Sequence, residues 1–299
     1  MCIVAAICWL TPALSAQKSI NSTDTLQRRG TILKMAGLTA VYYGSSIYVL
    51  GKTWYRGREK VPFHWYNDNR GWLQVDKLGH AYGSYIYSYT GYYAMLHAGL
   101  SRKEALWYGA TLGFVLQAPI EIMDGIHEGY GFSSGDMLAN FMGSALVFGQ
   151  ELMFKEQVVR FKFSYRETGY ARRANGYLGT TTLNRILKDY NGHTYWLSVP
   201  VNYLTRKGNF PRWLSISAGY GAKGMLGEFE NIREYNGVPF PETIRYRQFL
   251  VSPDIEWTKI KTRSHFLKAA FTAMSFVKFP LPALEYNSKG KWKGYWMYF

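Results

Sequence analysis

Apolar positions group into four stretches of helical length in the first half of the chain and into shorter alternating runs in the second. The first stretch runs from Thr31 to Leu50, about 20 residues, the length a bilayer-spanning helix needs. The second runs from about Lys77 to Leu100 and is crowded with Tyr and Gly. The third opens at Ser101, where Ser101-Arg102-Lys103-Glu104 has the form of a capping box, and reaches about Met123. Pro119 removes one helical hydrogen bond and predicts a kink near its end. The fourth follows Gly131-Phe132-Ser133-Ser134 and continues to about Phe154. Small residues recur on these stretches, among them Gly83, Ser84, Gly91, Gly109, Gly113, Gly143, Ser144 and Ala145, and small residues let helices approach closely. Short connections between the last three predict antiparallel neighbours.

After Lys155 the pattern changes. Residues 158–190 are basic and mixed, with a short helix predicted at Leu183–Lys188. Strand-like runs follow at Tyr195–Tyr203, Trp213–Gly221 and Tyr246–Ile260, the last with room for a second strand around Pro253. His265–Phe279 reads as helix or strand. Trp292–Phe299 alternates and ends on Phe, like the last strand of an outer-membrane barrel, although an amphipathic edge strand has the same pattern. Eight strands, the minimum for such a barrel, cannot be counted. The fold expected is α+β: a membrane-associated up-and-down helical bundle, then an antiparallel β-rich region.

The N-terminus adds an address. Residues 3–14 are mostly apolar, and Leu14-Ser15-Ala16 forms a cleavage site, so 1–16 reads as a signal peptide, although no Lys or Arg precedes the apolar run. The bundle is then assigned to 17–157 and the β-rich region to 158–299. Cys2 and Cys8 both lie in the leader, so a chain starting at Gln17 has no disulfide, thiolate metal site or cysteine nucleophile. Ala6-Ile7 before Cys8 lacks the small residue that lipid attachment requires next to the cysteine.

Charge separates the halves further. The net charge is +15, and residues 158–299 carry 22 basic and 9 acidic side chains. That region suits membrane lipid or lipopolysaccharide, or an outer-membrane protein complex. No nucleic-acid motif is present. Aromatic residues make up 17% and charged residues only 18% of the chain, a composition suited to a membrane interface.

Three segments carry the candidate chemistry. Asp76 and His80 start the second helix, with Lys77 between them; Glu121 and Asp124 end the third, followed by His127; Ser133, Asp136 and Asn140 start the fourth. Antiparallel neighbours would bring these ends to one side, and the i,i+3 or i,i+4 spacing keeps each pair on one helical face. Asp76 and Asp136 also suit N-terminal capping, whereas Glu121 and Asp124 sit where the helix dipole disfavours anions. Four carboxylates beside one cation, Lys77, need protons, a hydrogen-bonded network or a divalent metal. The candidate metal ligands are Asp76, His80, Glu121, Asp124 and Asp136, the candidate general bases Glu121 and His80. No Ser/His/Asp triad spacing, phosphate loop or dinucleotide fingerprint occurs.

DKLGHAYGSY, E-x-x-D-G, GFSSGDMLAN before Gly143-Ser144, LKDYNGHTYWLS and GYGAKGM together resemble the YfiM-like predicted periplasmic lipoprotein family, particularly its larger relatives from Bacteroidetes. The resemblance covers the chain from about residue 30 onward. It implies a cell-envelope location in the periplasm or at the outer membrane, and brings no mechanism. The helical half is also distantly similar to VanZ-like membrane proteins, at Asp76, Lys77, His80, Glu121, Ser133, Asp136, Asn140 and Gly143. The reading expected is an envelope component, structural or for assembly, whose polar cluster holds the bundle together. The alternative is a metal-assisted hydrolase of an envelope lipid or glycan.

Overall fold

The computed structural model describes residues 25–55, 57–205 and 208–299. It is mixed α and β, as the pattern predicts. Contacts divide it into two units. One holds the described residues up to Asn67 with Gly83–Gln157 and Arg263–Ala270; the other holds Asp68–Tyr82, Val158–Thr262 and Phe271–Phe299. The leader expected at 1–16 lies outside the described residues.

The helical unit is built on α1 (Thr25–Trp54), α2 (Val75–His97, counted in this unit from Gly83), α3 (Leu112–Asp124) and α4 (Ser134–Met153). Cross-contacts fix their directions. Tyr43 donates to the Leu116 carbonyl and a Cβ at Gly51 would lie 3.8 Å from the Met123 methyl, so α1 runs with α3. Gly83 faces Gln117 and Gly91 faces Gly109, so α2 runs against α3. Phe114 meets Ser144 and Gln117 meets Asn140, so α4 does too. Glycine makes the α2–α3 approach possible. A Cβ at Gly109 would lie 2.6 Å from the Tyr92 Cα, and one at Gly113 would lie 1.9 Å from the Ser84 carbonyl oxygen.

The third stretch departs from its sequence pattern. The capping box at Ser101 forms, but only Arg102–Glu104 is α-helical before a π turn at Ala105–Gly109. The α-helix resumes at Leu112 and runs through Pro119 to Asp124, so the interruption precedes the proline. α1 is long, yet no helix among the described residues is long and apolar enough to cross a membrane. Lys34 interrupts its apolar run, and the Tyr, Gly and Ser residues from Tyr42 to Tyr48 dilute it.

The second unit is an antiparallel six-stranded sheet with the order β1-β2-β3-β6-β7-β8. Its strands are β1 (Arg160–Tyr165), β2 (His193–Pro200), β3 (Leu214–Lys223), β6 (Tyr246–Ile255), β7 (Leu281–Asn287) and β8 (Trp292–Tyr298). β4 (Glu234–Tyr235) and β5 (Val238–Pro239) form a separate hairpin. α5 (Thr182–Lys188) falls where the short helix was predicted, and His265–Met274 is helical, as α6. Tyr246–Ile255 is one strand, not two. Pro253 is tolerated because β7 pairs with β6 only at Gln248–Val251, leaving no ladder bond for the missing N–H. Beyond Pro200 the run predicted to Tyr203 turns into a short helix, Val201–Thr205.

The sheet's polarity is inverted. Lys162, Ser217, Gln248, Ser252, Asp254 and Glu285 are buried, while Leu197, Ile216, Phe249, Val251 and Leu284 are exposed. The buried charges are partnered: Lys162 Nζ lies 2.9 Å from Asp254, Arg160 Nε lies 3.2 Å from Glu256, and Gln248, Tyr295 and Asn287 donate to Glu285. Trp196, Leu250, Ala283 and Tyr298 supply the apolar part of this interior. On the outward side the β1–β2 corner is covered, and so is the end of β3 and β6 at Tyr220, Ala222 and Arg247, where the Trp72–Gln74 turn lies. At the corner Tyr82 packs on Phe161, Phe163 and Tyr195.

Candidate functional site

In the helical unit the polar residues form a hydrogen-bonded ladder. The break before α3 leaves its first N–H groups without helical acceptors, and Thr111 supplies no side-chain cap. Neighbouring serines accept them instead. Gly113 N–H donates to Ser88 at 3.0 Å and Phe114 N–H to Ser144 at 2.8 Å. Ser144 in turn bonds Ser84 and Ser88 at 2.9 and 2.7 Å, and Ser84 donates to the Asn140 carbonyl at 2.5 Å. The Asn140 side chain accepts from Gln117 at 2.5 Å and donates to Glu121 at 3.4 Å. Glu121 is 1% exposed.

Asp124 takes a different partner, the Tyr55 hydroxyl at 2.6 Å. Burial, then the Asp124 charge, pushes that hydroxyl far above the ordinary tyrosine range. His127 is buried: its ring stacks on Tyr55 at 4.2 Å and Nδ1 lies 2.6 Å from the Met123 carbonyl. Ser133 caps α4 by accepting from the Asp136 N–H at 3.0 Å, and the buried Asp136 stands in the first turn, where the helix dipole favours an anion.

In the sheet unit, Asp76, Lys77 and His80 form the first turns of α2. Lys77 Nζ lies 2.7 Å from Asp68 and 3.5 Å from Asp76, so Asp68 is a further carboxylate at this cluster. His80 Nε2 lies 4.0 Å from Asp76 Oδ1, and that oxygen accepts from the Tyr190 hydroxyl at 2.5 Å. The Asp76 and His80 side chains are 17% and 22% exposed, enough to meet a small solute.

The chain enters this cluster through a strained turn. Trp72, Leu73 and Gln74 have φ of 47°, 50° and 66°, three successive non-glycine residues in the left-handed region. Their surroundings hold them there. Trp72 N–H donates to the Glu228 carbonyl, Tyr220 to the Leu73 carbonyl and Arg247 to the Gln74 side chain.

Asp68, Tyr190 and His193 were not among the sequence candidates. Two of them lie in the LKDYNGHTYW motif, whose spacing matched a family without showing what it touches. Asp189 in that motif is buried and accepts from Thr168 and from both Asn191 donors. Burial raises its carboxyl despite those bonds. His193 Nε2 faces the Ile186 carbonyl at 2.9 Å and Nδ1 faces the Tyr195 hydroxyl at 3.3 Å, which sets the neutral tautomer with the proton on Nε2.

Burial holds the His193 imidazole down at about 4, with Lys223 adding to this and the Ile186 bond and Asp76 opposing it. The unfolded chain protonates near 6.5, so between the two values it binds the extra proton and stability rises with pH. Stability should therefore fall by about 3 kcal/mol as pH drops from 6.5 towards 4. Asp189 contributes the opposite slope. Thermal melting of wild type and His193→Gln across this range isolates the histidine, and equal pH slopes in both would refute its role.

Residues 64–150 match the model of the family described as predicted periplasmic lipoprotein, a domain of unknown function. It is the family that the sequence motifs resemble, and the matched segment takes in Asp76, His80, Glu121, Asp136 and Asn140. Searches of curated proteins and of solved structures returned no match.

Proposed function

We propose that this is an exported cell-envelope protein that acts as a structural or assembly component, in which the polar residues of the helices hold the bundle together. The observation that carries this is the ladder from Ser84, Ser88 and Ser144 through Asn140 and Gln117 to Glu121. It shares the bundle interior with the buried Tyr85, Ile86, Tyr92 and Val147, while Val115, Leu138, Phe141 and Met142 on the same helices are exposed. A bundle apolar outside and hydrogen-bonded inside suits a membrane surface, and the family's description supports an envelope address. Outer-membrane placement, with lipid, lipopolysaccharide or an outer-membrane complex as partner, belongs to this proposal.

The test is a pair of variants. Glu121→Gln keeps an acceptor for Asn140 and should leave stability within about 1 kcal/mol of wild type. Glu121→Ala orphans the Asn140 donor and should cost about 1–3 kcal/mol. If both variants melt with wild type, the ladder does not hold the bundle.

A second reading is favoured by the Asp76–His80 pair, whose carboxylate and imidazole suit a divalent cation. A cation bound by Asp76 and His80 would make the protein a metal-assisted hydrolase of an envelope lipid or glycan.

A further inference from the structure

We propose that the outward face of β3, β6, β7 and β8 lies flat in the interfacial layer of an anionic membrane, with its apolar side chains among the acyl chains of one leaflet. This rests on the envelope reading and names the partner and the surface that meets it.

Strand register aligns the exposed apolar residues into continuous rows. Leu197, Ala218, Val251 and Leu284 lie side by side across four strands, and Phe249, Tyr286 and Trp292 form a parallel aromatic row. Val251, Leu284 and Phe249 are 51%, 49% and 47% exposed, and Trp296 on the edge strand is 88% exposed. The opposite face of the same strands buries Ser217, Ser252, Gln248, Asp254 and Glu285. A sheet facing water on one side alternates the other way, with polar residues outward. This alternation is that of strands facing hydrocarbon outside and a polar interior inside.

Dimensions and charge decide how the face meets the membrane. From Phe249 to Ile255 the outward band is about 20 Å long at the usual strand rise, short of the ~25 Å apolar band of an outer-membrane barrel. The main sheet also has six strands in an open order. An in-plane seat fits better than a span, and cations stand at both strand ends to meet headgroups. Arg247, Lys289, Lys291 and Lys293 stand at one end and Lys259 and Lys261 at the other, and no acidic residue occurs from Tyr286 to Phe299.

The experiment uses the full chain with Cys2→Ser and Cys8→Ser, which leaves no other cysteine. Val251→Cys, Leu284→Cys and, as a control in the separate β4–β5 hairpin, the exposed Glu234→Cys are each labelled with a polarity-sensitive fluorophore. Vesicles of phosphatidylcholine and phosphatidylglycerol are added, and quenching by iodide is read alongside co-sedimentation. The expected result is several-fold protection at 251 and 284 with little at 234. Vesicle partition should fall about fivefold for each of Lys289 and Lys291 replaced by Gln at low salt. Bound protein with unprotected labels at 251 and 284 overturns the sheet proposal and leaves the envelope reading standing. Protection without vesicles, together with a dimer mass, assigns the face to a second copy and overturns it too. No vesicle binding, with the chain recovered from fractionated cells apart from any membrane, defeats both.

Discussion

Asp254→Ala should largely unfold the sheet unit. Asp254 is 1% exposed, with Lys162 Nζ at 2.9 Å and Lys278 Nζ at 3.7 Å. Burial already holds the Lys278 ammonium down at about 8 although Asp254 supports it. Removing this carboxylate takes the counter-ion from two buried amines and leaves them only backbone carbonyls among the described residues. Breaking a buried pair in this way costs about 3–5 kcal/mol, a large share of a typical domain's stability. Urea denaturation followed by tryptophan fluorescence should show the midpoint falling by well over half, or no folded baseline. A midpoint within experimental error of wild type would mean that the polar interior carries no weight.

Gly113→Ala should be the most damaging single methyl in the helical unit. Its Cβ would sit 1.9 Å from the Ser84 carbonyl oxygen and 2.7 Å from the Ser88 hydroxyl. The first contact is backbone, so α2 and α3 must separate, which breaks the Gly113 N–H bond to Ser88 and loosens the serine ladder. Overpacking of this kind costs about 1–3 kcal/mol or more. Gly149→Ala is the control. Its Cβ would meet only the Met153 methyl at 3.8 Å, and alanine in a helix interior gains up to about 1 kcal/mol over glycine. Melting both variants by circular dichroism should move them in opposite directions, and a neutral Gly113→Ala would refute the close-approach argument.

The helices were legible because length, caps and small-residue spacing are local signals. Ser101 and Ser133 announced their helix starts, and Gly109 and Gly113 announced a close approach. The π turn at Ala105–Gly109 was not legible, since it answers to the fit of Gly109 against Tyr92 on another helix. The strands divided by polarity. Trp213–Gly221 was read from its alternation. Arg160–Tyr165 and Leu281–Asn287 were missed, because a reading that expects apolar residues inside has no place for Arg160, Lys162 or Glu285 as interior positions. Among the site residues, Glu121 showed itself through its unfavourable place at a helix end, and its partner Asn140 was named with it. Tyr190 and Asp68 meet the Asp76–Lys77 cluster only through tertiary structure, at sequence separations that no local pattern reports.

The central claim, that the polar cluster is a hydrogen-bonded scaffold, is tested most directly by the metal content of the purified protein. Elemental analysis of wild type and Asp76→Asn, prepared side by side without chelator, should find only trace divalent metal in both. Adding zinc, manganese or calcium at 100 times a micromolar binding constant should leave the melting temperature unmoved, where true binding would add about 2.7 kcal/mol. About one metal ion per wild-type chain, lost in Asp76→Asn, would contradict the scaffold account and establish the metal centre in its place.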